Sequence, residues 1–231
     1  MTDQHVPDLK RPAAVVFDWD NTLIDSWDAL IGALNHTLEA MGQAPWSAAE
    51  ARRRIGRSLR EAFPELFGDR WEAARDIYLA AFAERHLEGL RALDGAANLL
   101  SSLEHLGVPL TVVSNKSPEF LHREAERLGW RARFHRLVGA GEAERDKPAP
   151  DPVQLALAGS GVAPGPGVWF VGDSPVDMAC AHAAGCVPIL VNPADPDPEA
   201  VRACPPALRV DGPGSLVRPL ERLVARAPAD A

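Results

Sequence analysis

The stretch Val15-Val16-Phe17-Asp18-Trp19-Asp20-Asn21-Thr22-Leu23 decides how the rest of the chain is read. An apolar, β-branched run stops abruptly at two aspartates two residues apart, the way a buried parallel strand ends at a polar site rather than in a plain turn. Both carboxylates then stand at a strand's carboxyl end, the edge outside which open α/β sheets bind their ligands. An Asp-x-Asp pair also occurs in ordinary surface turns, so its meaning depends on whether later segments build a site around it.

Working outward, Ala13 to Phe17 is expected to form the first strand. A helix should begin near Asp25 or Ser26, either of which can cap it, with Trp27, Leu30, Ile31, Leu34, Leu38 and Met41 at helical spacing. Further helical segments are expected from Ser47 to about Phe67, with a break at Gly56, and from Asp69 to about Leu90. No strand-like run occurs between Asp25 and Arg91, so residues 25–91 are predicted to be an inserted helical subdomain, with 1–24 and 92–231 forming the core.

From Asp94 onward short apolar strands alternate with helices. The expected order is helix Ala96–Leu106, strand Pro109–Val113, helix Pro118–Leu128, a short strand near Arg133–Val138, and helix Pro152–Ser160. Strand Gly167–Val171, helix Pro175–Ala184, strand Val187–Val191, strand Leu208–Val210 and a helix from Ser215 complete it. Such alternation implies βαβ units with right-handed crossovers and a parallel sheet, hence an α/β fold. Asn192–Pro206 is proline-rich and reads as a surface loop, and the tail after Pro228 should fray. Three helices share a start of capping residue and proline, at Ser117-Pro118, Asp151-Pro152 and Ser174-Pro175.

Composition bounds the function classes. At 231 residues, 46% hydrophobic and 24% charged, the chain suits one large globular domain or a core with an insert. A net charge of -8 argues against nucleic acid. The polar run Met1–Arg11 does not resemble a signal peptide, and no apolar stretch is long enough for a membrane span. Cys180, Cys186 and Cys204 lack metal-site spacing and read as reduced thiols, so a cytoplasmic location is expected. The only lysines are Lys10, Lys116 and Lys147, against many arginines, which makes each lysine easier to judge.

Four polar constellations fall at expected strand ends or in the loops beyond them: Asp18 with Asp20, Ser114-Asn115-Lys116, Lys147 in a polar loop, and Gly172-Asp173-Ser174-Pro175-Val176-Asp177. If they converge, several carboxylates meet near one point and need a cation, because neighbouring like charges raise one another's pKa. Hard oxygen ligands suit Mg²⁺. A phosphate would find the Ser114 hydroxyl, backbone amides near Asn115, the Lys147 ammonium and the metal. That set stabilises transferring phosphoryl oxygens, and one carboxylate can attack phosphorus while the other moves the proton. The residues alone therefore point to Mg²⁺-assisted phosphoryl transfer.

Asp18-x-Asp20-x-Thr22, the strand-terminal Ser114, Lys147 and Gly172-Asp173-Ser174-x-x-Asp177 match the four motifs of the haloacid dehalogenase superfamily in type, order and spacing. The resemblance runs from about Ala13 to Val191. It is strongest to phosphoglycolate phosphatases and their close relatives, through Ser114-Asn115-Lys116, through Asp177-x-x-x-Ala181-x-x-Ala184-Gly185, and through a helical cap of the C1 type inserted after the first motif. The resemblance implies a three-layer α/β sandwich around a Rossmann-like parallel sheet. It also implies Asp18 as nucleophile, Asp20 as general acid/base, and Mg²⁺ held by Asp18, the backbone carbonyl of Asp20, and Asp173. Ser114, Asn115 and Lys147 would bind the phosphoryl group, with Asp177 supporting Lys147 or the metal. The chain departs from the family at Asn21, where glycine is usual. Asparagine tolerates a left-handed backbone, so the turn should survive.

The expected substrate is a small phosphorylated metabolite, phosphoglycolate first. A sugar-phosphate phosphatase, a β-phosphoglucomutase-like phosphotransferase, and a non-catalytic phosphate- or partner-binding module are the alternatives. Asp20 separates phosphatases from dehalogenases, and the lack of a lysine between Lys10 and Lys116 excludes Schiff-base phosphonate chemistry. Of the arginines at 52, 53, 54, 57 and 60, Arg57 beside Gly56 is the candidate for an acidic leaving group. Lys116 either reaches the substrate or sits in solvent. His36, His86 and His182 read as surface or packing residues, and the tryptophans as packing, with Trp19 a candidate for shaping the site entrance.

Overall fold

Strand β1 (Ala14–Phe17) is completely buried, and its side chains alternate between two apolar layers. In the computed structural model, which describes residues 9–191 and 198–226, Val15 and Phe17 join one layer and Ala14 and Val16 the other. Two-sided burial is what a continuous apolar strand requires. A short antiparallel ribbon, β2 (Ile24–Asp25) with β3 (Arg91–Ala92), follows outside the main sheet. The main sheet adds β4 (Leu110–Val113), β5 (Arg136–Val138), β6 (Val168–Gly172), β7 (Val187–Val191) and β8 (Leu208–Val210). Its order is β5-β4-β1-β6-β7-β8, and every pairing is parallel. The chain winds outward from β1 first through β4 and then through β6. The crevice at the carboxyl ends of these three strands is thus a topological switch point.

Helices complete the three layers. Four helices precede β3 in the chain: α1 (Trp27–Ala40), α2 (Ala48–Arg54), α3 (Leu59–Phe67) and α4 (Trp71–Arg85). On one face of the sheet, α5 (Ala96–His105) and α6 (Pro118–Arg127) bring Leu99, Leu100, Leu103, Leu121 and Ala125 into the layer of Phe17. On the other, α7 (Asp151–Leu157) and α8 (Pro175–Ala183) bring Val153, Ala156, Leu157, Cys180 and Ala181 against Val16. The expected three-layer α/β architecture is present. The helices α1 to α4 pack around Leu34, Leu38, Met41, Phe63, Phe67 and Ala74. A second cluster, Leu30, Ala33, Ala81 and Phe82, adds Phe120 of α6.

Local details depart from the sequence reading. The ribbon β2/β3 brackets the interval from Asp25 to Arg91, which is itself free of further strands as expected; the ribbon goes beyond the sequence reading because two-residue strands carry no periodic signal. It ties the exit from β1 to the return toward α5, and Arg91 pairs with Asp25 at 2.5 Å. The expected break at Gly56 is present, with φ of 157°. Within the stretch read as a loop, α9 (Pro198–Ala203) forms, and Val201 packs with Met178 and Leu190. The rest of that loop at 192–197 lies outside the described residues, as do 1–8 and the tail from 227. The last helix is α10 (Val217–Arg226), whose Leu220 joins the layer of Phe17. Of the three capping residues, only Ser174 accepts from its helix, in a reciprocal capping box with Asp177. Ser117 makes no side-chain cap, and Asp151 is held by Arg145 instead. Among the described residues no helix is long and apolar enough to cross a membrane.

Candidate active site

The four polar constellations converge. Asp18 follows β1 directly, its amide donating to the carbonyl of Val171 at 2.9 Å, and its side chain is 8% exposed. Thr22 Oγ1 donates to Asp18 Oδ2 at 3.1 Å across a turn made possible by Asn21, whose φ is 59°. Asparagine therefore does adopt the left-handed conformation for which glycine is usual. The Lys147 ammonium bridges Asp18 Oδ1 at 2.6 Å and Asp177 Oδ1 at 2.7 Å. The other oxygen of Asp177 accepts from the amide and hydroxyl of Ser174, at 3.0 and 2.6 Å. Gly172 is needed here: a Cβ at that position would lie 2.3 Å from that of Asp177.

Ser114 ends β4 and is 4% exposed. The Asn115 side chain braces the neighbouring loop, accepting from the Lys147 amide at 3.1 Å and donating to the carbonyls of Lys147 and Gly56 at 3.1 and 2.9 Å. Its side-chain amide is thus engaged with protein backbone. Lys116 does not sit in solvent. Its ammonium lies 2.6 Å from both Asp20 Oδ1 and Glu124 Oε2, and it is 8% exposed.

Glu124 was not singled out from the sequence. It is 1% exposed and also accepts from Trp19 Nε1 at 2.8 Å, while His86 Nδ1 lies 3.0 Å from its other oxygen. His86 Nε2 is buried without a partner, which makes Nδ1 the protonated nitrogen and donor. His86 is a packing residue, as expected, its ring against Phe82 and Phe120 at 5.4 and 4.8 Å, and it also ties to Glu124; Trp19 lies inside the core rather than at the entrance. A legible signal existed: Phe120, Leu121, Glu124 and Ala125 share the buried stripe of α6, and a carboxylate in such a stripe needs partners.

Burial sets the electrostatics. It pushes the Asp18 carboxyl up to about 7, with Lys147 opposing and Asp177 and Asp20 adding to the rise. Burial likewise raises Asp173, reinforced by Asp177 and Asp18, and Glu124 up to about 7 against the pull of Lys116. For Lys147 burial disfavours the charge, yet Asp177 and Asp18 outweigh it and hold the ammonium protonated. Carboxylate oxygens of Asp18, Asp173 and Asp177 come within 4.8 Å of one another. This donor set is hard oxygen only, buried, and short of positive charge, and it therefore fits a small divalent cation.

A cavity of about 460 Å³ opens above these groups, lined by Asp18, Asp20, Ser114, Lys147 and Asp173 at one end and by side chains of α1 to α4 and α6 at the other. Arg57 borders it, but its guanidinium is held bidentately by Glu65 at 2.9 and 2.5 Å. Arg52 lies over Trp27 and Arg54 over Trp46, 4.8 and 4.5 Å from the ring centres. Arg60 turns away to Asp146, at 2.6 Å.

Comparison with known proteins shows the family and the fold. A sequence profile described as haloacid dehalogenase-like hydrolase matches residues 15–191. A phosphoglycolate phosphatase of Chromobacterium violaceum is 30% identical over 193 residues, covering 80% of this chain and 86% of that protein. One of Xylella fastidiosa is 37% identical over 184 residues, 75% and 77% of the two chains. Among solved structures, a HAD-superfamily hydrolase from Ehrlichia chaffeensis superposes with a TM-score of 0.65 at 26% identity, covering 94% of this chain and all (100%) of that one. A hydrolase from Pseudomonas syringae shares the fold, with a TM-score of 0.79 at 20% identity over 91% of this chain and 98% of that one. The matched segment begins inside β1 and ends at the close of β7, so it contains every strand whose end carries a site residue; the chain belongs to the haloacid dehalogenase-like hydrolase family.

Proposed function

We propose that the protein is a Mg²⁺-dependent phosphomonoester hydrolase that works through an aspartyl phosphate on Asp18. The observation that carries this reading is the pairing of Lys147 with Asp18 at 2.6 Å beneath an open cavity, with Asp20 at the same strand end. An Asp18 oxygen attacks phosphorus as the bond to the leaving oxygen breaks. Asp20 gives that oxygen its proton and later takes one from the water that releases phosphate. Lys147 and Ser114 hold the phosphoryl oxygens, and Asp177 keeps Lys147 in place. Asp18, the Asp20 carbonyl and Asp173 would hold Mg²⁺, which when bound neutralises phosphoryl charge. Residues 25–91 act as a cap over the core, and the Asp25–Arg91 pair marks where the two meet.

Phosphoglycolate is the reference substrate, because the curated relatives at 30 and 37% identity carry that name. Phosphoglycolate and a sugar-phosphate panel, assayed with and without Mg²⁺, test the reading. Phosphate release that depends on the metal is the expected result; silence across every phosphomonoester would reject it.

Metal and proton compete for the same oxygens. The Asp18 carboxyl, raised from 3.8 to about 7, keeps a proton in the folded chain that the unfolded chain has lost over that window. Its contribution to metal-free stability therefore declines as pH rises from about 4 to about 7. A bound cation must displace that proton. Mg²⁺ is accordingly expected to raise the Tm more at pH 7.5 than at pH 5.5, as read by scanning fluorimetry; an equal or reversed increment would count against Asp18 as a ligand.

A further inference from the structure

The cavity above the carboxylates is far more apolar than a short acid or a sugar requires. Beyond the polar floor its wall is built from Leu30, Ile55, Leu59, Phe63, Tyr78 and Phe82, contributed by α1, α3, α4 and the α2–α3 link. Its volume, about 460 Å³, falls in the range of about 300–1,000 Å³ that encloses ligands of drug size. Phosphoglycolate, with two carbons beside its phosphate, reaches little of that wall and would leave the apolar surface wet. A sugar would press most of its hydroxyls against aliphatic and aromatic carbon, where hydrogen-bond partners are few. Of the arginines at the mouth, Arg57 is engaged by Glu65, and Arg52 and Arg54 sit over the rings of Trp27 and Trp46.

We infer that the preferred substrate is a phosphomonoester with a bulky apolar leaving group, aliphatic or aromatic, whose phosphate enters the carboxylate floor while its hydrocarbon part fills the cavity under the helices. This rests on the phosphomonoesterase reading above and narrows it. The arginines at the mouth then serve to draw in the phosphate dianion rather than to select a second acid group. Chemistry remains hydrolysis: the phosphorus–oxygen bond breaks, an alcohol or phenol takes the proton, and water supplies the oxygen left on phosphate.

The test is a homologous series of methyl, butyl, hexyl and octyl phosphate, with phosphoglycolate as reference, assayed with Mg²⁺. Each methylene transferred from water to an apolar wall is worth about 0.8 kcal/mol, or about fourfold. Accordingly kcat/KM is expected to climb by up to about fourfold per methylene until the cavity is full, and to exceed that for phosphoglycolate. Ala62→Phe, which places a ring in the cavity, should flatten that slope, a ratio insensitive to how much of the variant is folded. A flat or falling series alongside efficient phosphoglycolate hydrolysis overturns the inference and leaves the phosphatase reading standing. A slope untouched by Ala62→Phe overturns it as well. Absence of turnover with every ester overturns the reading on which it rests.

Discussion

Asp18→Asn is expected to lower kcat by at least about 10⁴-fold, the scale on which loss of a covalent nucleophile is felt. The substitution keeps the shape of the side chain and removes its nucleophilic oxygen. It should not unfold the protein. Burial already raises the Asp18 carboxyl to about 7, so the charge is costly to the fold, and a neutral amide removes that cost. Lys147 keeps Asp177 as a partner at 2.7 Å, and the amide still offers an oxygen to Lys147. A Tm equal to or above that of the parent, with phosphate release near background, is the anticipated pair of results. Residual activity within tenfold of the parent would remove Asp18 from the chemistry.

Lys147→Met is expected to damage both stability and turnover. The ammonium is 3% exposed, and its loss leaves Asp18 and Asp177 without their shared cation, with Asp173 close by. Removing one partner from a buried ion pair costs about 3–5 kcal/mol, since the remaining charges stay desolvated. Chemical denaturation at pH 7.5 should show that loss, and kcat should fall by about 10³-fold as a preorganised charge facing the phosphoryl oxygens disappears. The Asp18 carboxyl should also rise further, because Lys147 is the main group holding it down. A variant as stable as the parent would mean the pair contributes nothing net to the fold.

The sequence carried the α/β core and the polar ends of β1, β4 and β6 because both signals are local. Each strand is an apolar run that stops at a polar residue, and each stop is visible without knowing its neighbours. The partners of Lys116 were not visible in the same way. Asp20 lies 96 positions away in the chain, and Glu124 on the next helix turns inward only because α6 packs as it does. Arg57 shows the converse. Its proximity to Gly56 was legible, but its bidentate bond to Glu65, eight positions on, depends on the geometry of the α2–α3 break. The ribbon β2/β3 and helix α9 are too short for periodicity, and packing alone decides them. The catalytic roles proposed for Asp18 and Lys147 are the ones that the two variants above address.

Two polar ties run from the helical segment to the loop that carries Lys147. Asn115 joins the Gly56 carbonyl to the backbone of Lys147, and Arg60 on α3 grips Asp146, the residue before it. Thermodynamic linkage makes such ties work in both directions. If phosphate binding at Lys147 is coupled through these ties to the helices, the coupling acts with the same free energy in both directions. Whatever settles the helices over a leaving group then tightens the grip on phosphate in return. The two ends of one substrate, which never touch each other's binding residues, can thereby be recognised cooperatively.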